Sequence, residues 1–288
     1  MDTTNSRLKP AEDIFNRIKE ELEHGTVPWH KPWVVREDCV LSHTSGKPYS
    51  LRNRMLLSFA GEYATFYQVK KAGGTVNKGA KGKYVYFAKE VKRKSENEDD
   101  EPEYYYLLRG YYVFNILDTS LTSKYEDKWG GDKAPECNAL GVLRDYCSRT
   151  GVSYIEAGSE AFYSRNDDRL QIPNINTFES ESEFWSTVFH EAGHSTAKRL
   201  DRKLGVCMLG MADDNYCKEE LVAEICAALC LGHLGIDTED SMINSAAYIK
   251  SWQGHLSKMT PNDFTTACYE AQRAYKLIFN ITETTNKE

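Results

Sequence analysis

The chain has 288 residues, of which 41% are hydrophobic and 27% charged, and a formal net charge of −7. That length suffices for two domains with separate cores, and the composition is that of a soluble globular protein. No apolar run is long enough to span a bilayer, and MDTTNSRLKP lacks the charged-then-apolar order of a signal peptide; the expectation is a cytoplasmic protein with no membrane partner. The eight cysteines include no C-x-x-C pair and mostly sit in apolar helical contexts, which predicts reduced, buried thiols.

Ala11 to His24 reads as an amphipathic helix with Ile14, Phe15, Ile18 and Leu22 on one side, ended by Gly25. Two prolines then make Val27 to Trp33 a stiff extended loop. Its indoles, Trp29 and Trp33, lie close to Lys31 and Arg36, so they can stack on bases or wedge the loop into the core. Ser45 to Tyr49 is a turn. Arg52-Asn53-Arg54 leads into an expected helix, MLLSFAGEY, where a basic start is unfavourable for the helix dipole and points to an anion.

The net charge speaks against nucleic-acid binding by the chain as a whole, but its distribution is uneven. From Gln68 to Lys94, Lys70, Lys71, Lys78, Lys81, Lys83, Lys89, Lys92, Arg93 and Lys94 face Glu90 alone. Glycines mark turns, and Tyr84 to Ala88 alternates like a strand carrying Tyr84 and Tyr86. Lysines beside strand-borne rings are the layout of single-stranded nucleic-acid binders. A solvated, lysine-rich hairpin is the plainer alternative. Ser95 to Glu103 is an acidic loop joining this strand to a second, Tyr104 to Leu117. The polar stretch from Asp118 to Asp132 holds the expected boundary, giving domains of residues 1–128 and 129–288.

In the second half, Ala139 to Thr150 reads as a helix and Val152 to Pro173 as a meander of short strands. A strand there can pair with an extended substrate or simply cover the helix that follows. That helix, Phe184 to Leu200, contains His190-Glu191-Ala192-Gly193-His194, with Ser180 and Glu183 at capping-box spacing before it. His190 and His194 lie one turn apart on one face, so their ring nitrogens can converge on one cation. Glu191 is placed to take a proton from water bound there, the H-E-x-x-H pattern of zinc metallopeptidases. Ala197 and Leu200 stand where an extended motif needs Gly and His, which excludes the metzincin form.

A third ligand is expected on the helix Cys217 to Gly232, which offers Glu219, Glu220 and Glu224. Glu220 is preferred because it shares its face with Ala223 and Ala227, small residues that allow close helix approach. Glu224, one turn on, is placed to support a histidine. Tyr216 can donate to a tetrahedral intermediate or be purely structural. A site of two histidines and one glutamate suits Zn2+, with Mn2+ or Co2+ also able to occupy it. His24, His30, His43, His233 and His255 have no partner at ligand spacing and read as non-catalytic. Two more helices, SAAYIKSWQGHL and PNDFTTACYEAQRAYKLIF, are expected to pack behind the site.

Taken in order, IKEELEHGTVPWHKPW, SGKPYSLRN, KGAKGKYVYF and YYVFNILDT, followed by EAFYSRNDDRLQIP, the HEAGH helix, KEELVAE and AAYIKSW, resemble the ArdC-type antirestriction family over nearly the whole chain. The resemblance implies an α+β protein with an N-terminal single-stranded DNA-binding domain and a C-terminal zincin-like metallopeptidase domain. It implies metal ligation by His190, His194 and Glu220, with Glu191 as general base. The family is carried on plasmids, phages and other mobile elements and protects entering DNA from restriction. Two hypotheses follow. One is a zinc-dependent endopeptidase acting on an unidentified protein, a restriction endonuclease among the candidates. The other is a non-catalytic protein that coats single strands or occludes restriction enzymes.

Overall fold

The computed structural model describes residues 10–92, 104–126, 138–205, 207–208, 211–212, 214–236 and 246–282. The acidic loop expected at 95–103 lies outside them, as does most of the polar stretch around residue 130. The protein is α+β and two-domained. The chain divides into two units, residues 1–17 with 37–127 and residues 18–36 with 128–288. The linear cut after residue 128 puts 18–36 with the first half, whereas in the structure this segment groups with the second.

The division falls within α1 (Pro10–Glu23), whose apolar residues Ile14, Phe15, Ile18 and Leu22 are all buried. After it come a 3-10 turn at Pro28–His30 and the short α2 (Pro32–Val35). The second unit receives this segment at fixed points. Trp29 is fully buried, its ring edge-on to Trp252 with centroids 5.3 Å apart. A Cβ on Gly232 would lie 2.4 Å from Val35 Cγ2, so only glycine admits α2 there.

The first unit is built on a sheet in the order β1-β2-β4-β3, comprising β1 (Val40–Ser42), β2 (Gly61–Thr65), β3 (Lys83–Lys92) and β4 (Tyr104–Asn115). β1 and β2 are parallel and the other pairs antiparallel. The helix expected through MLLSFAGEY is not continuous. α3 (Leu51–Leu56) stops early, and Gly61, at φ +125, opens β2 in a backbone conformation that side-chain-bearing residues avoid. Tyr63 and Ala64 are thereby buried in the sheet. Thr65 then caps α4 (Phe66–Lys71) through a capping box with Gln68, so Lys70 and Lys71 lie on a helix rather than on the hairpin.

In the second unit, α5 (Ala139–Thr150) ends at Gly151, in the left-handed region at φ +76. The expected meander is instead a sheet in the order β5-β7-β6, from β5 (Ser153–Glu156), β6 (Phe162–Ser164) and β7 (Arg169–Ile172). β5 pairs parallel to β7, which a simple up-and-down meander would not give, and β7 buries Leu170 and Ile172 on one face. α6 (Glu181–Ser195) begins at Ser180, whose hydroxyl accepts from Glu183 N at 3.1 Å. Glu183 reaches back to Glu179 N instead of closing the box on Ser180. The helical reading to Leu200 continues only as a 3-10 turn, Thr196–Lys198.

A short hairpin, β8 (Cys207–Met208) with β9 (Met211–Ala212), precedes α7 (Asp214–Leu234). α7 is apolar nearly all round from Leu221 to Leu231 and forms the centre of this unit. It packs between α6 and α9 (Pro261–Ile278), with α8 (Ala246–Ser257) beside it. Cys217, Cys226, Cys230 and Cys268 are buried in this helical layer, and Cys39 is buried in the first unit.

Candidate functional site

Two helices build the cluster. On α6, the 3.6-residue period puts His190 and His194 on the face toward α7. Close approach depends on Gly193, where a Cβ would lie 3.1 Å from Ala223 Cα. With the helices this close, His190 Nε2 and His194 Nε2 are 3.1 Å apart, and Glu220 places carboxylate oxygens 3.6 and 3.5 Å from them respectively. Tetrahedral zinc ligands sit about 3.3 Å from one another at ordinary Zn–N and Zn–O bond lengths. Taking one ligand atom from each residue, all three lie within 4.8 Å of one another, so the donor set can gather around a single divalent cation. Glu191, partly exposed, follows His190 on the helix.

The far side of each imidazole is occupied. His190 Nδ1 lies 3.4 Å from Glu224 Oε2, and His194 Nδ1 lies 3.4 Å from Glu219 Oε1. A carboxylate at Nδ1 keeps the proton there and turns the Nε2 lone pair toward the cluster. Glu219 is only 3% exposed and takes a bidentate pair from Arg202, Nε to Oε2 at 3.0 Å and Nη2 to Oε1 at 2.7 Å. Arg202 also donates to Thr196 Oγ1 and to Gly193 O, which ties the end of α6 to α7. Gly205, at φ +65, packs directly on the backbone of Tyr216 and fixes where α7 begins.

Charge follows geometry. Burial would keep His190 neutral, yet its hydrogen bonds to Glu220 and Glu224 outweigh that and raise its pKa well above the ordinary value. Burial would likewise raise Glu220, but His190, His194 and the Tyr216 hydroxyl hold it below the ordinary carboxylate range. Glu224 is held low in the same way by His190 and His30. Three carboxylates around two imidazoles leave negative charge in excess, the balance that favours a divalent cation.

The small sheet is anchored to the turn that follows α6 through Asp168, at φ +50 in the turn before β7. Its carboxylate receives Arg199 Nη1 and Nη2 at 2.9 and 2.8 Å, Lys198 Nζ at 2.9 Å and Tyr163 OH at 2.8 Å.

In the first unit, Lys70, Lys71, Lys78, Lys81 and Lys83 are all exposed. β3 and β4 pair Tyr84 with Tyr112 and Tyr86 with Gly110. A Cβ on Gly110 would lie 2.3 Å from the Tyr84 ring, so that ring lies across the glycine. Tyr84 packs edge-on to both Tyr86 and Tyr112, with centroids 5.2 and 4.8 Å away. Tyr112 is 62% exposed, and Phe66 and Tyr67, just beyond the end of β2, are exposed as well, with Lys70 Nζ 5.1 Å from the Phe66 ring centroid. Sequence reading passed over Tyr112, Phe66 and Tyr67; the register of β4 against β2 and β3 is what brings them beside the lysines.

Other expected contacts are committed elsewhere. Asn53 is 3% exposed and pairs with the edge of β3, donating to Tyr86 O at 2.7 Å and accepting from Tyr86 N at 2.9 Å. Arg54 is buried and donates to Tyr49 O. These two residues therefore build the sheet edge, while Arg52 remains partly exposed. Trp29, fully buried against Trp252, has no face open to a base. The Trp33 side chain lies outside the described residues. The Tyr86 hydroxyl donates to Asp13 at 2.6 Å.

A model of the N-terminal domain of anti-restriction factor ArdC matches residues 9–114, and one of zincin-like metallopeptidases matches residues 143–269. The crystal structure of metal-free antirestriction protein ArdC from plasmid R388 superposes with a TM-score of 0.68 at 27% identity, covering 93% of this chain and 96% of that one. The chain belongs to the ArdC-type antirestriction family. The Mn(II)-bound structure of the R388 ArdC protein also gives a TM-score of 0.68, at 28% identity over 95% of this chain and 98% of that one.

Among other relatives, DNA primase TraC of Escherichia coli is 28% identical over 276 residues, 85% of this chain but 18% of that protein. Uncharacterized protein y4eC of Sinorhizobium fredii is 26% identical over 297 residues, 94% of each chain. This ArdC-type chain thus spans less than a fifth of that TraC protein and nearly all of y4eC. Among its described residues, no helix is long and apolar enough to cross a membrane.

Proposed function

We infer that this protein counters restriction by pairing two activities, single-stranded DNA binding by its first unit and peptide-bond hydrolysis at the His190–His194–Glu220 cluster. The observation that carries the hydrolytic half is the convergence of two Nε2 atoms and one carboxylate beside Glu191. A pure scaffold has no need of a carboxylate at that position. A divalent cation, zinc by the donor set and manganese by analogy with the Mn(II)-bound relative, supplies Lewis acidity here when bound.

The chain's own groups do the rest. Glu191 accepts a proton from the attacking water and returns it to the leaving amine. Tyr216, hydrogen-bonded to Glu220, is one residue within reach of the cluster that can donate to the oxyanion. Among the described residues, β6 is an edge strand of its sheet, a place for an extended substrate to add a strand. The substrate is a protein, with a restriction endonuclease the candidate that the family's role suggests. The DNA-binding half is supported by the exposed lysines beside Tyr84 and Tyr112, where phosphates and bases find partners together.

The test is an antirestriction assay comparing wild type with Glu191→Gln, with metal content and single-strand affinity measured for both. Loss of protection with metal and DNA binding intact supports hydrolysis. Protection that survives unchanged overturns it and leaves a protein that works by binding alone.

A further inference from the structure

One ligand histidine is supported through Glu224 by two residues, and one of them, His30, lies outside the 143–269 stretch that matches the zincin-like model. Glu224 Oε2 faces His190 Nδ1, and its other oxygen, Oε1, receives His30 Nε2 at 3.0 Å and the Tyr248 hydroxyl. His30 Nε2 and Tyr248 OH are themselves 3.0 Å apart, so the three groups close on one another. The His30 side chain is 8% exposed and that of Glu224 16%. His30 sits 194 positions before Glu224 in the chain, in the 18–36 segment that groups with the second unit. The Trp29–Trp252 pair and the Val35–Gly232 contact fix this segment on either side of it.

We propose that His30 and Tyr248 are positioning residues for the metal cluster, holding the Glu224 carboxylate against His190 so that its Nε2 points at the cation. The proposal rests on the metal-binding reading above. Its physical basis is the geometry of a carboxylate with two oxygens and two tasks. An unrestrained Glu224 has several rotamers, and only one places Oε2 on Nδ1 of His190. Two donors on Oε1 select that rotamer, as Arg202 does for Glu219 behind His194. The two ligand histidines therefore have separate supports, one the Arg202 guanidinium that follows α6 and the other an imidazole–hydroxyl pair from the 18–36 segment and α8. Removing an outer partner of this kind weakens metal binding about 10–100-fold.

The experiment uses the full-length protein and Co2+ alone as probe, with affinity read by chelator competition and ligand geometry by the visible absorption of the bound Co2+. His30→Leu and Tyr248→Phe are each expected to weaken Co2+ about 10–100-fold and to shift the absorption bands. The double variant should lose less than the product of the two, because both act through Glu224. His30→Gln, which keeps a donor, should recover part of the affinity. Tyr248→Phe removes a single hydroxyl and keeps the ring, so it remains informative if His30→Leu does not fold. Unchanged affinity and bands in folded variants overturn the proposal. His190→Ala separates this from failure of the underlying reading: if it leaves Co2+ binding intact, His190 is not a ligand, and the metal reading itself falls.

Discussion

Gly193 and Ala223 meet backbone to backbone where the two ligand-bearing helices cross: a Cβ on Gly193 would come within 3.1 Å of Ala223 Cα and 3.5 Å of its Cβ. The spacing of the Nε2 atoms from Glu220 depends on that contact. Gly193→Ala adds a methyl group to a tight crossing but gains about 1 kcal/mol of helix propensity, so its net change in stability should stay within about 1 kcal/mol. Gly193→Val has no such compensation and should cost about 2–3 kcal/mol. Urea denaturation of both variants, alongside metal titration, checks this. The expected order of metal affinity is wild type, then Ala, then Val.

Asn53 gives a prediction opposite to the one its sequence context suggests. Asn53→Ala removes two hydrogen bonds to the Tyr86 backbone and should cost about 1–3 kcal/mol. Single-strand affinity measured well below the melting temperature should stay close to wild type. A large affinity loss in a stable variant would return Asn53 to the DNA-contacting set.

The aromatic and cationic groups of the hairpin should separate by their salt response. Lys81→Ala and Lys83→Ala should each lower the slope of log K against log salt by about 0.7, as expected for one lost phosphate contact on a single strand. Tyr112→Ala should leave the slope alone and weaken binding by about 1–3 kcal/mol at every salt concentration. Fluorescence anisotropy with a labelled oligonucleotide across a salt series reads both.

Asp168 provides a pH signature. Hydrogen bonds from Arg199, working against burial and aided by Lys198 and Tyr163, depress its pKa below the ordinary carboxylate value. The folded pKa lies below the unfolded one, so its contribution is complete above about pH 4 and fades as pH falls toward the folded value. Asp168→Asn keeps a residue tolerant of positive φ and should cost about 1–2 kcal/mol at pH 7. The gap between variant and wild type should be flat from pH 6 to 8 and narrow below pH 4, as read from thermal melts across that range.

The legible parts of this molecule are those whose cause is local. The α6 helix follows from the spacing of Phe184, Trp185, Val188, Phe189 and Ala192, and Ser180 caps it through a contact three residues away. Glu220 stood out among three glutamates because Ala223 and Ala227 mark a close-packing face, and its carboxylate is the one lying against both Nε2 atoms. What stayed hidden depends on distant partners. Asn53 looks like a surface residue until β3 arrives beside it, and Trp29 looks equally suited to solvent and core until Trp252 is in place. The break at residues 57–60 was masked by a run of good helix formers, and Gly61 enters a strand opposite Val40 of β1, a partner that no local pattern announces. His30 carries no local sign of a role because its partners are Glu224 and Tyr248.

The interleaving of the two units sets a rule for exchange between related genes. A single crossover between codons 37 and 127 would give the second unit a foreign strip of residues 18–36, with a mismatched His30, Trp29 and Val35 against resident Glu224, Trp252 and Gly232. A clean transfer of the first unit needs two joins, near residues 36 and 127, and even then leaves behind the piece before residue 18. Inheritance as one block avoids the problem, and the match to TraC, a single stretch covering 85% of this chain inside a much longer protein, has that form.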